Sequence, residues 1–181
     1  MGVNTPFSCV ILGCKAFFES DRLLTVFSEV HGKIRVLASK ANGKSSPFSG
    51  LLDPGVQVSM TTSQGKTFNY LSQCRLEMAF PNIRKSYNRI AMMHHFFELI
   101  MKATAYDQPH PGFYDLLAHA LQDLDSPLPL SHIQQQFYTQ FLVSEGLLVP
   151  GQGEISISKF IGAYQSYTGE SVVLPALIHD E

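Results

Sequence analysis

Hydrophobic positions along this chain change their spacing once, near Pro81. Before that point they come in short runs. Residues 7–12 form a continuous apolar stretch of strand length, and residues 23–28 (LLTVFS) are rich in β-branched and aromatic side chains. Glu19-Ser20-Asp21 is a polar turn between them, and His31-Gly32 joins residues 23–28 to residues 33–38 at hairpin spacing. Residues 33–38 alternate, with Ile34, Val36 and Ala38 on one face and Lys33 and Arg35 on the other. Residues 39–50 (SKANGKSSPFSG) favour turns at almost every position. Two further strands are predicted over residues 56–60 and 68–76, joined by a turn at Ser63-Gln64-Gly65.

Beyond Pro81 the period becomes three to four residues. Ile83, Tyr87, Ile90, His94, Phe97 and Met101 predict a long amphipathic helix over 82–105, with Asn82 as its N-cap. Residues 107–111 break the chain. A second helix over 112–124 sets Phe113, Leu116, Leu117, Ala120, Leu121 and Leu124 on one face. Ser131 is the expected cap of a third helix reaching residue 144, and a short fourth helix over 158–167 stops at Gly169. Five strands with one long excursion after the third suit a small closed barrel of the OB type, although an SH3-like barrel has a similar strand count. The expected fold class is therefore α+β: an N-terminal five-stranded OB-fold barrel over residues 1–80, then a C-terminal helical bundle over 81–181.

Composition narrows the class. With 181 residues, 45% of them hydrophobic, and a net charge of −2, the chain can bury a core without disulfide or metal staples and is not disordered. Its apolar runs fall short of the roughly 18 residues of a membrane span, and the N-terminus lacks the basic start of a secretory signal. Three cysteines without a CxxC pair argue for a reducing, cytoplasmic setting and against a thiolate zinc site. Charge is divided unevenly. Residues 1–102 carry twelve cations against six acids, a balance of +6, whereas residues 103–181 carry one against nine, a balance of −8. A polyanion is drawn to the first part and repelled by the second.

Catalytic signatures are weak. Residues 38–45 (ASKANGKS) match a loosened phosphate-loop pattern, but a phosphate loop must open a helix, and the residues after Ser45 read as loop. His94 and Glu98 stand one turn apart, yet a di-metal site wants Glu-x-x-His on paired helices, and Glu98 is followed three residues on by Met101. A nucleophile elbow is absent. The expectation is a protein with no catalytic residues, no metal and no cofactor.

Cations and aromatic rings are what remain. Arg22, Lys33, Arg35, Lys40, Lys44, Lys66 and Arg75 lie on or beside the predicted barrel, and Arg84, Lys85 and Arg89 open the long helix. A nucleic-acid groove combines such cations with rings on which unpaired bases stack. Phe17, Phe18, Phe48, Phe68 and Tyr70 are the available rings, and the loop residue Phe48 is preferred because strand aromatics usually serve the core.

Over residues 7–125 the chain resembles the RecO family of recombination mediators. The resemblance is carried by residues 19–28 (ESDRLLTVFS), then His31-Gly32-Lys33-Ile34-Arg35 leading into the basic loop 40–45, and Leu51-Leu52-Asp53-Pro54. It implies an OB-fold followed by helices, and a non-enzymatic protein of DNA repair and recombination that binds single- and double-stranded DNA, anneals strands and associates with the nucleoid. It further implies a RecR-like partner and single-strand-binding protein as associates, which together load recombinase. On this resemblance Arg22, Lys33, Arg35, Lys40 and Lys44 neutralise phosphates. Arg84, Lys85 and Arg89 are the cations available for the acidic tail of single-strand-binding protein. The four-cysteine zinc module carried by many relatives has no counterpart in this sequence. The alternative is a degenerate OB-fold serving as a protein-interaction scaffold without strong DNA binding, which the acidic second half favours.

Overall fold

A computed structural model describes residues 5–41, 46, 48, 50–151, 153 and 155–177. Two compact units make it up: Met1–Ala79 with Ala105–Pro111, and Phe80–Thr104 with Gly112–Glu181.

The first unit is built from β1 (Phe7–Phe17), β2 (Asp21–Ser28), β3 (Gly32–Ala38), β4 (Gln57–Gln64) and β5 (Asn69–Met78). They close in the order β1-β2-β3-β5-β4, with β1 antiparallel to both β2 and β4 and with β3 parallel to β5. That is the five-stranded barrel of the OB-fold, so the expected class holds and the SH3-like alternative is set aside. Alternate residues point inward: Cys9 and Ile11, Leu24 and Val26, Ile34 and Val36, Val58 and Met60 form one buried cluster. Leu52 and Val56, from the excursion after β3, join it.

β1 outruns its apolar stretch. Residues Phe7 to Val10 pair with β4, while Cys9 to Phe17 pair with β2. A register shift between Ile11 and Gly13 bends the strand so that it can serve both neighbours. β4 likewise runs to Gln64, so the turn predicted at residues 63–65 begins at Gly65. A Cβ on Gly65 would lie 2.3 Å from the Tyr70 ring and 2.6 Å from the Phe68 carbonyl, which only glycine avoids.

The second unit holds α1 (Tyr87–Ala103), α2 (Pro111–Asp125, its first residue in the barrel unit), α3 (Leu130–Ser144) and α4 (Ile157–Thr168). Its start corrects the predicted cap. Asn82 opens a short 3-10 turn, where the Asn82 and Ile83 amides donate to Asp125 Oδ1 at 2.6 and 3.2 Å. Ser86 is extended and caps α1, its hydroxyl accepting from the Arg89 amide. Met92, Met93, His95, Phe96, Phe97, Leu99 and Ile100 are buried in α1, so the predicted stripe holds at Phe97, whereas Tyr87, also on it, is 58% exposed.

Pro129 occupies the N-cap position of α3, its carbonyl accepting from the His132 and Ile133 amides, so Ser131 lies inside the helix rather than capping it. At the other end Gly169 terminates α4 in the left-handed region, as its sequence position predicts. Stacked rings dominate this core: Phe96 on Phe137 at 3.9 Å and Tyr138 on Phe160 at 3.8 Å. Among the described residues no helix is long and apolar enough to cross a membrane.

Candidate nucleic-acid interface

Within the barrel unit, the segment Ala105–Pro111 lies against β3. Tyr106 forms a parallel bridge with Lys33, and the Asp107 amide donates to the Lys33 carbonyl at 2.9 Å. Gly32 makes the approach possible: it sits at φ +64°, and a Cβ there would be 1.8 Å from the Gln108 carbonyl oxygen. The Tyr106 ring is thereby placed 4.5 Å from Lys33 Nζ and 4.6 Å from Arg35 Cζ. A hydrogen bond with the Arg35 side chain holds the Tyr106 hydroxyl below the usual tyrosine range.

The two cations of β3 therefore differ. Arg35 is exposed, but Lys33 is only 5% exposed, and burial pushes its ammonium below the usual lysine range. The expected solvent-facing pair is corrected here. Its alternation is real, but the cover over Lys33 comes from a residue far along the chain.

Arg35 continues into a concavity of about 450 Å³ lined also by Lys66, Phe68 and Tyr106. An aromatic cluster stands beside it. Phe17 packs edge-on against Phe18 at 4.6 Å and against Phe68 at 5.6 Å, joining the β1–β2 turn to the β4–β5 turn. Phe18, at φ +55°, is 82% exposed. Asp21, paired across from Phe17, accepts from the Lys40 amide at 2.9 Å and brings the turn after β3 to the same end of the barrel. Those two turns and the β2–β3 surface are the ligand face of OB-folds.

Phe17 thus contacts Phe18 and Phe68, Phe68 shares one concavity with Lys66, Arg35 and Tyr106, and the Lys40 backbone is tied to Asp21 at the same end. Other expected site residues stand apart. Arg22 lies 3.9 Å from Asp53 and 3.9 Å from Cys14 Sγ, part-buried. Phe48 is half-buried against the barrel core. Arg75 is exposed opposite Ser59, roughly 20 Å along β5 from the Asn69 end at about 3.3 Å per residue. Lys44 lies outside the described residues, as do Gly43 and Ser45 of the phosphate-loop pattern. Among the described residues between β3 and β4 there is no helix.

In the helical unit, Lys85 Nζ donates to Asn82 Oδ1 at 2.9 Å, and Arg84 is exposed. Arg89 donates to the carbonyls of Leu124 at 2.7 Å and Leu128 at 3.1 Å, satisfying the C-terminal end of α2. Glu98 pairs with Lys102 at 2.7 Å. The described residues contain no group of three or more His, Cys, Asp and Glu side chains able to hold a metal. The thiols are poor nucleophiles, since burial raises Cys9 well above the usual range and Cys74 to about 11.

Sequence reasoning preferred Phe48 and passed over Phe18 and Tyr106. For Phe18 a signal existed, a pair of phenylalanines abutting the polar turn Glu19-Ser20-Asp21. Tyr106 has no local signal at all.

Comparison with known proteins extends the picture. Residues 1–80 match the family described as Recombination protein O N terminal, and residues 84–146 the one described as Recombination protein O C terminal. Curated relatives named DNA repair protein RecO are similar to this chain. The one from Geobacter metallireducens is 25% identical over 139 residues, covering 77% of this chain and 57% of its own length. The one from Pelotomaculum thermopropionicum is 26% identical over 113 residues, covering 62% and 44%. That of Geobacter sulfurreducens is 29% identical over 122 residues, covering 66% and 50%. The chain spans about half the length of the curated relatives it matches.

Proposed function

The chain belongs to the RecO family, and on that premise we propose that it acts in recombinational DNA repair as a non-catalytic protein that binds and anneals DNA strands. One observation carries the reading: Arg35 and Lys66 line a single concavity with Phe68 and Tyr106, beside the exposed Phe18. Cations screen the repulsion between two polyanions, and rings stack on bases not yet paired. Arg84 and Lys85 are proposed to meet the acidic tail of single-strand-binding protein, with Arg89 holding the helix pair beneath them. A RecR-like partner completes the recombinase-loading role.

Fluorescence anisotropy with a labelled single strand, titrated across salt, tests this. Phosphate contacts from Lys40, Arg35 and Lys66 give a log–log slope of about −2. Absence of binding at low salt overturns the reading. In that case Leu76 and Met78, 46% and 42% exposed at the end of β5, favour the protein-interaction scaffold, which binds a RecR-type partner without DNA.

A further inference from the structure

The groove of the barrel unit continues past Tyr106. Asp107, Gln64 and Asn69 line the concavity of Arg35 and Lys66, and they also line a second one of about 530 Å³. The second has a different chemistry. Among the described residues that line it there is no Lys or Arg, and its polar lining includes Asp107, Gln64, Asn69 and Thr62. One wall is aromatic, formed by Phe7 and His31 packed edge to face at 4.6 Å.

A phosphate would be repelled there, whereas a planar heterocycle with donors and acceptors on its edge matches both the polar lining and the aromatic wall. Asp107 is also firmly placed. It sits at φ +59°, which few residues other than glycine adopt, and its amide is fixed to the Lys33 carbonyl at 2.9 Å.

We propose that this concavity receives one unpaired base of a bound strand and that the Asp107 carboxylate reads its Watson–Crick edge. The inference rests on the DNA-binding reading and deepens it. Phosphates follow Lys66 and Arg35, and the next base turns past Tyr106 into the polar pocket. Guanine alone presents two adjacent donors, N1–H and the N2 amino group, to a carboxylate. Thymine flanks its single donor with carbonyls, and cytosine and adenine set an acceptor nitrogen beside theirs. The pocket therefore favours guanine.

The test compares the full chain's affinity for an oligothymidine with that for the same oligomer carrying guanine at alternate positions. The guanine-containing strand should bind about fivefold more tightly, the low end for a two-point contact. Asp107→Asn, which tolerates the same backbone conformation, should bring the two affinities to a ratio of one, whatever their common level, with the melting temperature unchanged. Equal affinities overturn the pocket and leave DNA binding standing, and a preference that survives Asp107→Asn overturns the role of Asp107. Should no strand bind, the side-chain amide NMR signals of Gln64 and Asn69 decide. Shifts with guanosine monophosphate but not thymidine monophosphate support the pocket without the strand-binding reading, and no shift with either overturns it.

Discussion

Tyr106 covers Lys33: its ring centre lies 4.5 Å from the ammonium, and the backbones of the two residues form a parallel bridge. Arg35, two positions on, lies 4.6 Å from the centre of the same ring yet stays exposed. Two cations with the same sequence signature thus do different work, one holding the barrel's cover in place and the other facing solvent.

Charge reversal should separate them. Lys33→Glu buries an anion where a cation had met an aromatic face worth about 0.5–2 kcal/mol, and a clear fall in melting temperature is expected. Arg35→Glu should leave the melt nearly unchanged and reduce the salt slope of oligonucleotide binding by about 0.7. Equal melting curves for the two variants would refute the assignment.

Phe18→Ala removes a ring that is 82% exposed and contributes little to the core. Base stacking on an aromatic side chain is worth about 1–3 kcal/mol, so single-strand affinity should fall about tenfold with unchanged stability. A duplex, whose bases already stack on one another, should lose much less. Anisotropy with matched single- and double-stranded probes reads the difference.

His95 is buried in the helical unit, with Nε2 2.7 Å from the Tyr138 hydroxyl, which also receives Gln134 Nε2 at 2.9 Å. Burial lowers its imidazole to about 4, against smaller opposing effects of Glu98 and a hydrogen bond to the Val173 backbone. The fold prefers neutral imidazole, so the stability is fully present above the unfolded value of 6.5 and is lost as pH falls toward 4. Its full loss is about 3 kcal/mol. Thermal melts across that window should show the decline, and His95→Gln, which keeps a partner for Tyr138, should flatten it.

Arg89 binds two carbonyls at the end of α2 and just beyond. Arg89→Ala should cost about 1–3 kcal/mol. Lys in its place should recover only part of that, because one ammonium does not reproduce the guanidinium fork. Chemical denaturation of the three proteins provides the measurement, and full recovery by Lys would contradict the two-carbonyl role.

Much of the barrel was legible because a strand that buries one face must alternate, as Ile34, Val36 and Ala38 do. Gly13 to Phe17 escaped, since the latter half of β1 is strand through pairing with β2 rather than through apolar character. The helical stripe was legible at Ile83 and Phe97 but not at Tyr87, which directly follows the extended residue Ser86, a break that lies in backbone geometry rather than hydropathy. At the site, Arg35 and Lys66 were readable as cations. Their shared concavity, the exposure of Phe18 and the cover over Lys33 depend on residues distant in sequence, which no local pattern encodes.

Gly32 admits the segment Ala105–Pro111 to the barrel only because it has no side chain. The chain is consequently interleaved: barrel, helix, barrel again, then helices. A fragment cut at residue 80 would part from Tyr106 and Asp107 and leave Lys33 bare, so neither half can be transplanted as a single length of sequence. Any exchange of parts between such proteins has to carry the small loop between α1 and α2 along with the barrel it belongs to.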